Sequence, residues 1–238
     1  MFKIMMGVLL AGLLGTNAWA DEASLKKAIE TAYPKIKVNS VTKTPFNGLY
    51  EVFLGEEILY TDEKFSFFIV EGKVIDTKTR KNITVDRMEE LTKVDFNALP
   101  LNQAIKIVKG NGSRKLAVFS DPDCPFCKQL EQQSLVGLND VTIYTFLYPL
   151  TELHPDAANK AKAIWCAPDH ARAWQDWILN GQLAKATTCN NPIDSNAELG
   201  KKLGVRGTPL LIFGNGKRVS GALPAQEIEN RLSAETKK

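Results

Sequence analysis

The sequence predicts two folded units of different class: a small α+β unit over 21–83 and an α/β unit over 113–238, with a helical linker over 84–112 between them. Three observations carry that reading. Short strand-like runs separated by turn residues crowd the first part. From Arg114 onward, strand-like and helix-like runs alternate, which builds helices onto a central sheet. At the first of those strand-to-helix switches stands Ser120-Asp121-Pro122-Asp123-Cys124-Pro125-Phe126-Cys127, with two cysteines two residues apart.

In chain order, residues 1–20 read as a secretory leader. Lys3 is the basic start, Ile4 to Leu14 the apolar run and Ala18-Trp19-Ala20 the small-residue end, so cleavage is expected after Ala20. The apolar run is shorter than the roughly 20 residues of a spanning helix. Asp21 to Ala32 has amphipathic helical spacing at Leu25, Ala28, Ile29 and Ala32, and Tyr33-Pro34 ends it. Strand-like runs follow at 37–41, 49–54, 57–61, 65–70 and 73–76, with turns at Asn47-Gly48, Gly55, Asp62-Glu63 and Glu71-Gly72. Phe65, Phe67, Phe68 and Ile69 are expected in the core, with burial against a second chain as the alternative. In the linker, Thr84 to Val94 and Leu101 to Val108 have helical spacing.

In the second unit, strands are expected at 115–119, 141–148, 208–213 and 217–221, the last two joined by a hairpin turn at Gly214-Asn215-Gly216. Helices are expected at 125–138, 155–167, 171–179, 195–203 and 224–234. Pro125 suits a first helical turn.

The chain holds 30 Lys and Arg against 27 Asp and Glu, a formal charge of +3. That is too small to argue for nucleic acid or an anionic membrane. Lys237-Lys238 reads as a solvated end. All four cysteines lie beyond the leader, in a compartment where disulfides persist.

Cys124 sits where the unpaired N–H groups at the start of a helix favour an anion, and the thiolate is the reactive form of cysteine. Cys124 is therefore the expected nucleophile. Cys127, one turn on, is placed to resolve a mixed disulfide. A zinc site would need a second Cys/His pair at ligand spacing, which Cys166, Cys189, His154 and His170 do not supply. No metal and no cofactor are predicted. A purely structural Cys124–Cys127 bridge would close too short a loop to add much stability. Cys166 and Cys189 read as a structural bridge pinning a helical insert, with two further redox thiols as the competing reading. Thr208-Pro209 opens an apolar strand, where a proline cannot donate to the ladder; an edge position and a cis bond are both open explanations. Asp121 and Asp123 are expected as solvated loop carboxylates, because negative charge beside a thiolate raises its pKa. His154 and His170 are expected on the surface, and Trp165, Trp174 and Trp177 in packing.

Together the C-x-x-C, the second cysteine pair with Lys162-Ala163-Ile164-Trp165-Cys166-Ala167, and Leu203-Gly204-Val205-Arg206-Gly207-Thr208-Pro209 resemble the bacterial periplasmic disulfide isomerases of the DsbC/DsbG family. The resemblance is strongest over 114–238 and rests on layout alone over 21–90. It implies an N-terminal dimerisation domain of cystatin-like layout, a helical linker and a thioredoxin-fold catalytic domain with a helical insert. It makes Cys124 the attacking thiol, Cys127 the resolving thiol, Thr208-Pro209 a cis-proline loop facing them beside Pro125 and Phe126, and Cys166–Cys189 the structural bridge. It implies a homodimer whose two catalytic domains face each other across a cleft, misfolded disulfide-bearing secreted proteins as clients, and a membrane electron donor of the DsbD kind. Pro125-Phe126 is nearer the Pro-Tyr of the DsbG branch than the Gly-Tyr of the DsbC branch, whereas Ile164-Trp165-Cys166 is nearer DsbC. The expected activity is isomerisation or reduction of non-native disulfides. The rivals are a net oxidant, a DsbG-like chaperone or reductase protecting single oxidised cysteines, and a chaperone-like binding protein whose thiols are incidental.

Overall fold

The computed structural model of the protein describes residues 22–46 and 48–235. The leader, its cleavage point, Asn47 of the first expected turn and the Lys237-Lys238 end lie outside the described residues. The chain divides into two compact units between Thr84 and Val85.

In the first unit, helix α1 (Glu22–Ala32) places Leu25 and Ile29 on one face, four residues apart. They pack with Val38, Val41, Tyr50 and Val52 of the adjoining sheet. That sheet is an antiparallel meander in the order β1 (Ser40–Lys43), β2 (Tyr50–Phe53), β3 (Ile58–Thr61), β4 (Phe68–Ile69). Every residue of β2 is buried, as a strand flanked on both sides should be. The expected strand at 73–76 is reduced to a single bridge between Ile75 and Asn82. The aromatic run also departs from expectation. Phe67, Phe68 and Ile69 are 47 %, 44 % and 43 % exposed, so they are not core. Phe65 is half-buried and packs against the core of this unit, and its ring stacks on exposed Phe68 and meets Tyr33, with ring centres about 6 Å apart. One helix and one thin sheet have too little interior to bury the whole run.

Helix α2 (Ile83–Leu91) runs into the second unit, and two 3₁₀ turns follow at Phe96–Ala98 and Leu101–Gln103. The expected helix over 101–108 is then replaced by β5 (Ile105–Lys109). Ile105-Lys106-Ile107 alternates apolar and polar, and the strand pairs antiparallel with β7 at one edge of the sheet. The five strands run β5-β7-β6-β8-β9, where β6 is Arg114–Ser120, β7 Val141–Leu147, β8 Leu210–Phe213 and β9 Arg218–Ser220. β6 lies between parallel β7 and antiparallel β8, which explains why Leu116 to Ser120 are all buried. The β8–β9 hairpin turns at Gly216, whose φ of 83° suits glycine. An added Cβ there would meet the Val94 carbonyl oxygen at 2.2 Å, so the turn also admits the chain that follows α2.

Helix α3 (Pro125–Gln129) continues as a π-helical segment, Leu130–Leu135, in place of one regular helix over 125–138. Leu130 and Leu135 meet Leu116, Val118, Ile143 and, from helix α7 (Ala225–Glu235), Ile228 and Leu232. Helices α4 (Ala157–Trp165), α5 (His170–Asn180) and α6 (Ile193–Lys202) form the insert between β7 and β8. Trp174, Ile164 and Ile178 fill the core of that insert. Asn196 on α6 ties it back to the sheet by donating to the Leu147 carbonyl at 3.3 Å.

Candidate active site

The buried central strand ends at Ser120, and helix α3 begins five residues later, at Pro125. That short path is shaped by Asp121. Its Oδ1 accepts the Asp123 N–H at 2.7 Å and its carbonyl accepts the Cys124 N–H at 3.2 Å. This is the local turn chemistry expected of an Asp before a proline. Cys124 then occupies the N-cap of α3 with extended φ and ψ, and Pro125 takes the first helical position. The Cys124 carbonyl accepts the first helical bond from Lys128 at 3.1 Å.

Both thiols are free. Cys127 is fully buried and Cys124 is 5 % exposed, so the side chain that stands out at the motif is Phe126, 59 % exposed. The two sulfurs have opposite electrostatics. The Cys127 thiol donates to Cys124, and Thr208 and the backbone N–H groups of Cys127 and Phe126 add to it. Together these overcome the cost of burial and lower the Cys124 pKa to about 5. Cys127 is pushed far up by burial, and then by its bond to Cys124. Its sulfur accepts the Asp121 N–H at 3.5 Å.

Thr208 and Pro209 face the pair. Their peptide bond is cis, and β8, which they precede, lies between β6 and β9. The edge-position explanation for Pro209 is therefore replaced by the cis one. The Cys124 thiol donates to the Thr208 carbonyl at 3.3 Å. The Thr208 hydroxyl is buried with no partner beside the thiol form, which leaves it available to donate to the thiolate.

Cys166 and Cys189 are bonded to each other, so the reading of two further redox thiols falls. Cys166 is the C-cap of α4, and Cys189 lies in the coil before α6.

The structure corrects the reading of the flanking acids. Asp121 is fully buried. Its Oδ2 accepts the Leu150 N–H at 2.6 Å and meets His154 Nδ1 at 3.0 Å. Asp123 is held by Lys160 Nζ at 2.7 and 2.8 Å. Neither carboxylate is a solvated bystander. His154 is half-buried rather than a plain surface residue, and His170 stacks on Trp165 with ring centres 4.7 Å apart. Trp177 does more than pack: its Nε1 donates to the Pro122 carbonyl at 2.8 Å, and Lys160 Nζ sits 5.0 Å from its ring centre. Trp174 donates to Glu131 at 2.9 Å, a carboxyl whose pKa burial raises. The sequence pattern missed Asp121, His154, Lys160 and Trp177 as a set. An Asp-Pro turn hinted at the first, but the others arrive from more than thirty residues away. Among the described residues no group of three or more His, Cys, Asp or Glu is placed to hold a metal ion.

Comparison with known proteins agrees with this geometry. Residues 101–235 match the model of a thioredoxin-like domain, and residues 16–85 match that of the disulfide bond isomerase protein N-terminal domain. A probable thiol:disulfide interchange protein DsbC of Bordetella pertussis is 46 % identical over 209 residues, covering 88 % of this chain and 73 % of that protein. The chain belongs to the DsbC family. The DsbC of Escherichia coli K12 is 29 % identical over 235 residues, 98 % of this chain and 96 % of that protein. A crystal structure of a disulfide interchange protein from Neisseria gonorrhoeae aligns with a TM-score of 0.56 at 45 % identity, covering 59 % of this chain and all of that one. Like the rest of the DsbC family, the chain is a thiol–disulfide oxidoreductase. It joins the N-terminal domain of the disulfide bond isomerases to a thioredoxin fold.

Proposed function

We propose that this DsbC-family chain is a periplasmic protein disulfide isomerase and reductase that rearranges non-native disulfides in secreted proteins through Cys124 and Cys127. The observation that carries it is the opposed pair of thiols: Cys124 lowered to about 5, so mostly thiolate at neutral pH, against Cys127 held as a thiol by burial. Cys124 thiolate attacks one sulfur of a client disulfide. A Cys124–client bond forms, the client S–S bond breaks, and the second client sulfur leaves as a thiolate. A different client thiol then attacks the mixed disulfide and expels Cys124 thiolate, which is isomerisation with no net redox change. Alternatively Cys127 loses its proton and attacks Cys124. That releases the client reduced and leaves Cys124–Cys127 oxidised, to be reduced again by a membrane donor of the DsbD kind. The Thr208–Pro209 loop positions the client backbone against Cys124, and exposed Phe126 contacts its side chains.

The domain division follows the same reading: a leader over 1–20 cleaved after Ala20, a dimerisation unit over 21–83, a connector over 84–112 and a catalytic unit over 113–238. The exposed aromatic cluster of the first unit supports a homodimer. Sedimentation of the mature protein at micromolar concentration is expected to give a dimer; a monomer would remove that part of the reading.

The activity test is reactivation of a scrambled multi-disulfide substrate by catalytic amounts of mature protein in glutathione buffer. Wild type is expected to reactivate it, and Cys124→Ala to lose that activity. If the mutant still reactivates, Cys124 is not the nucleophile. If the wild type exchanges thiols but does not reactivate the substrate, the protective-reductase reading replaces isomerisation. If both only suppress aggregation, the chaperone with incidental thiols replaces it.

A further inference from the structure

Two carboxylates flank the cysteine pair, and an uncompensated negative charge beside a thiolate opposes its formation. Each is matched by a cation or a potential cation from outside the motif. Lys160 on α4 holds Asp123 at 2.7 Å, and His154, in the loop after β7, holds Asp121 at 3.0 Å. Asp121 is also the mechanical link. Its backbone N–H donates to Cys127 Sγ and its carbonyl accepts from the Cys124 N–H, while its carboxylate fixes the Leu150 N–H and the His154 ring. A carboxylate only accepts, so His154 Nδ1 carries the proton in this contact, and Nε2 is the atom that gains or loses one.

We propose that His154, clamped by the buried Asp121 carboxylate, is a positioning residue for the redox thiol, its imidazolium supplying from the loop after β7 the positive charge that Pro125-Phe126 does not provide. This rests on the reading of Cys124 as the nucleophile. The titratable groups facing His154 are Asp121 and Asp123 from the loop after β6 and Cys124 from the start of α3; all three raise its pKa, with the hydrogen bond it donates to Asp121 the largest cause. Of the two cations, only His154 is a residue type whose ordinary pKa lies close to neutrality, and its neighbours raise it. The sign follows. Above the Cys124 midpoint near 5 and below the raised His154 midpoint, thiolate and imidazolium coexist and support each other. As pH rises through the His154 midpoint the imidazolium is lost, Asp121 stands uncompensated, and the thiolate loses that support. The motif's low pKa is thus set partly by a residue that no C-x-x-C pattern contains.

The experiment compares the pH dependence of Cys124 alkylation in reduced wild type, His154→Gln and His154→Lys. Gln can still donate to Asp121 but carries no charge. It is expected to move the midpoint upward and to slow alkylation at about pH 5 by about threefold, a modest effect because His154 is half-exposed and screened. Lys, which keeps the charge, is expected to restore the wild-type rate there. A His154→Gln profile that superimposes on wild type overturns the proposal. A second measurement needs no change at His154. Its proton NMR titration, assigned by the signal lost in His154→Gln, is expected to show a lower midpoint in Cys124→Ser than in reduced wild type, because coupling between two charges is reciprocal. Equal midpoints likewise overturn it. If instead Cys124→Ser keeps the fast-reacting thiol, it is the assignment of Cys124 as nucleophile that fails, a result distinct from either of these.

Discussion

The four cysteines form two pairs placed at opposite kinds of helix end, and that placement separates their chemistry. Cys124 stands at the N-terminus of α3, where the N–H groups of Phe126 and Cys127 turn toward its sulfur. Cys166 caps the C-terminus of α4, and its own N–H is spent on the Lys162 carbonyl at 2.9 Å. At that end of a helix carbonyls converge, which favours cations and opposes a thiolate. One pair is a buried, unbonded dithiol, and the other is already bonded. Cysteine reactivity here is a property of the backbone around the sulfur rather than of spacing alone.

The largest effect that tests this contrast is at the first pair. At pH 6 a thiol with a pKa of about 5 is ~90 % thiolate, while an ordinary one near 8.5 is ~0.3 %. Iodoacetamide labelling of reduced protein at that pH is therefore expected to fall about a hundredfold or more in Cys124→Ser. Cys127→Ala is expected to keep a fast-labelling thiol but with its midpoint moved upward, because the Cys127 thiol is the leading donor to Cys124 and alanine has none. Equal loss in both variants would mean that the two sulfurs are not differentiated. In wild type the labelling rate is expected to rise through about pH 5 and then flatten.

The next effect is at the second pair. Its bridge spans 23 residues of sequence, and loss of such a loop closure costs about 3 kcal/mol. Cys166→Ala with Cys189→Ala is expected to lower the urea unfolding free energy by that amount. The Cys124 labelling midpoint should stay where it is, since Cys127, Thr208 and the Phe126 N–H all lie outside the bridged segment. A midpoint that moved with the bridge would merge the two pairs into one electrostatic unit and end the comparison.

The contrast also marks what a sequence can say. Cys124 was legible because its chemistry is local: strand run, three-residue turn, proline, helix. Gly216 was legible for the same reason. Strand β5 was misread because Leu101, Ala104, Ile105 and Val108 also fit a helical period, and a short edge strand is decided by its partner β7. The residues around Phe68 were misread because apolar density says nothing about whether one thin sheet has room for it. Asp121 and His154 were placed on the surface because their contact joins residues 33 apart in sequence. Burial of a carboxylate depends on the donors that reach it, and both donors to Asp121 Oδ2 come from the loop at 150–154.

The smallest effect tests a contact between the insert that carries the second pair and the loop that carries the first. Trp177 on α5 donates to the Pro122 carbonyl, and Lys160 on α4 binds Asp123 while lying over the Trp177 ring. Trp177→Phe removes the donor but keeps an aromatic face for Lys160. The freed carbonyl is partly buried, so the expected cost is about 1 kcal/mol of unfolding free energy. Because the Pro122 carbonyl is bonded to Trp177 rather than to either sulfur, and the substitution changes no charge, labelling at pH 6 should change little. A stability loss without a rate change would make this contact a brace for the redox loop. A rate change without a stability loss would show that the insert tunes the nucleophile directly, and the separation between the two cysteine pairs would then hold for their bonding but not for their electrostatics.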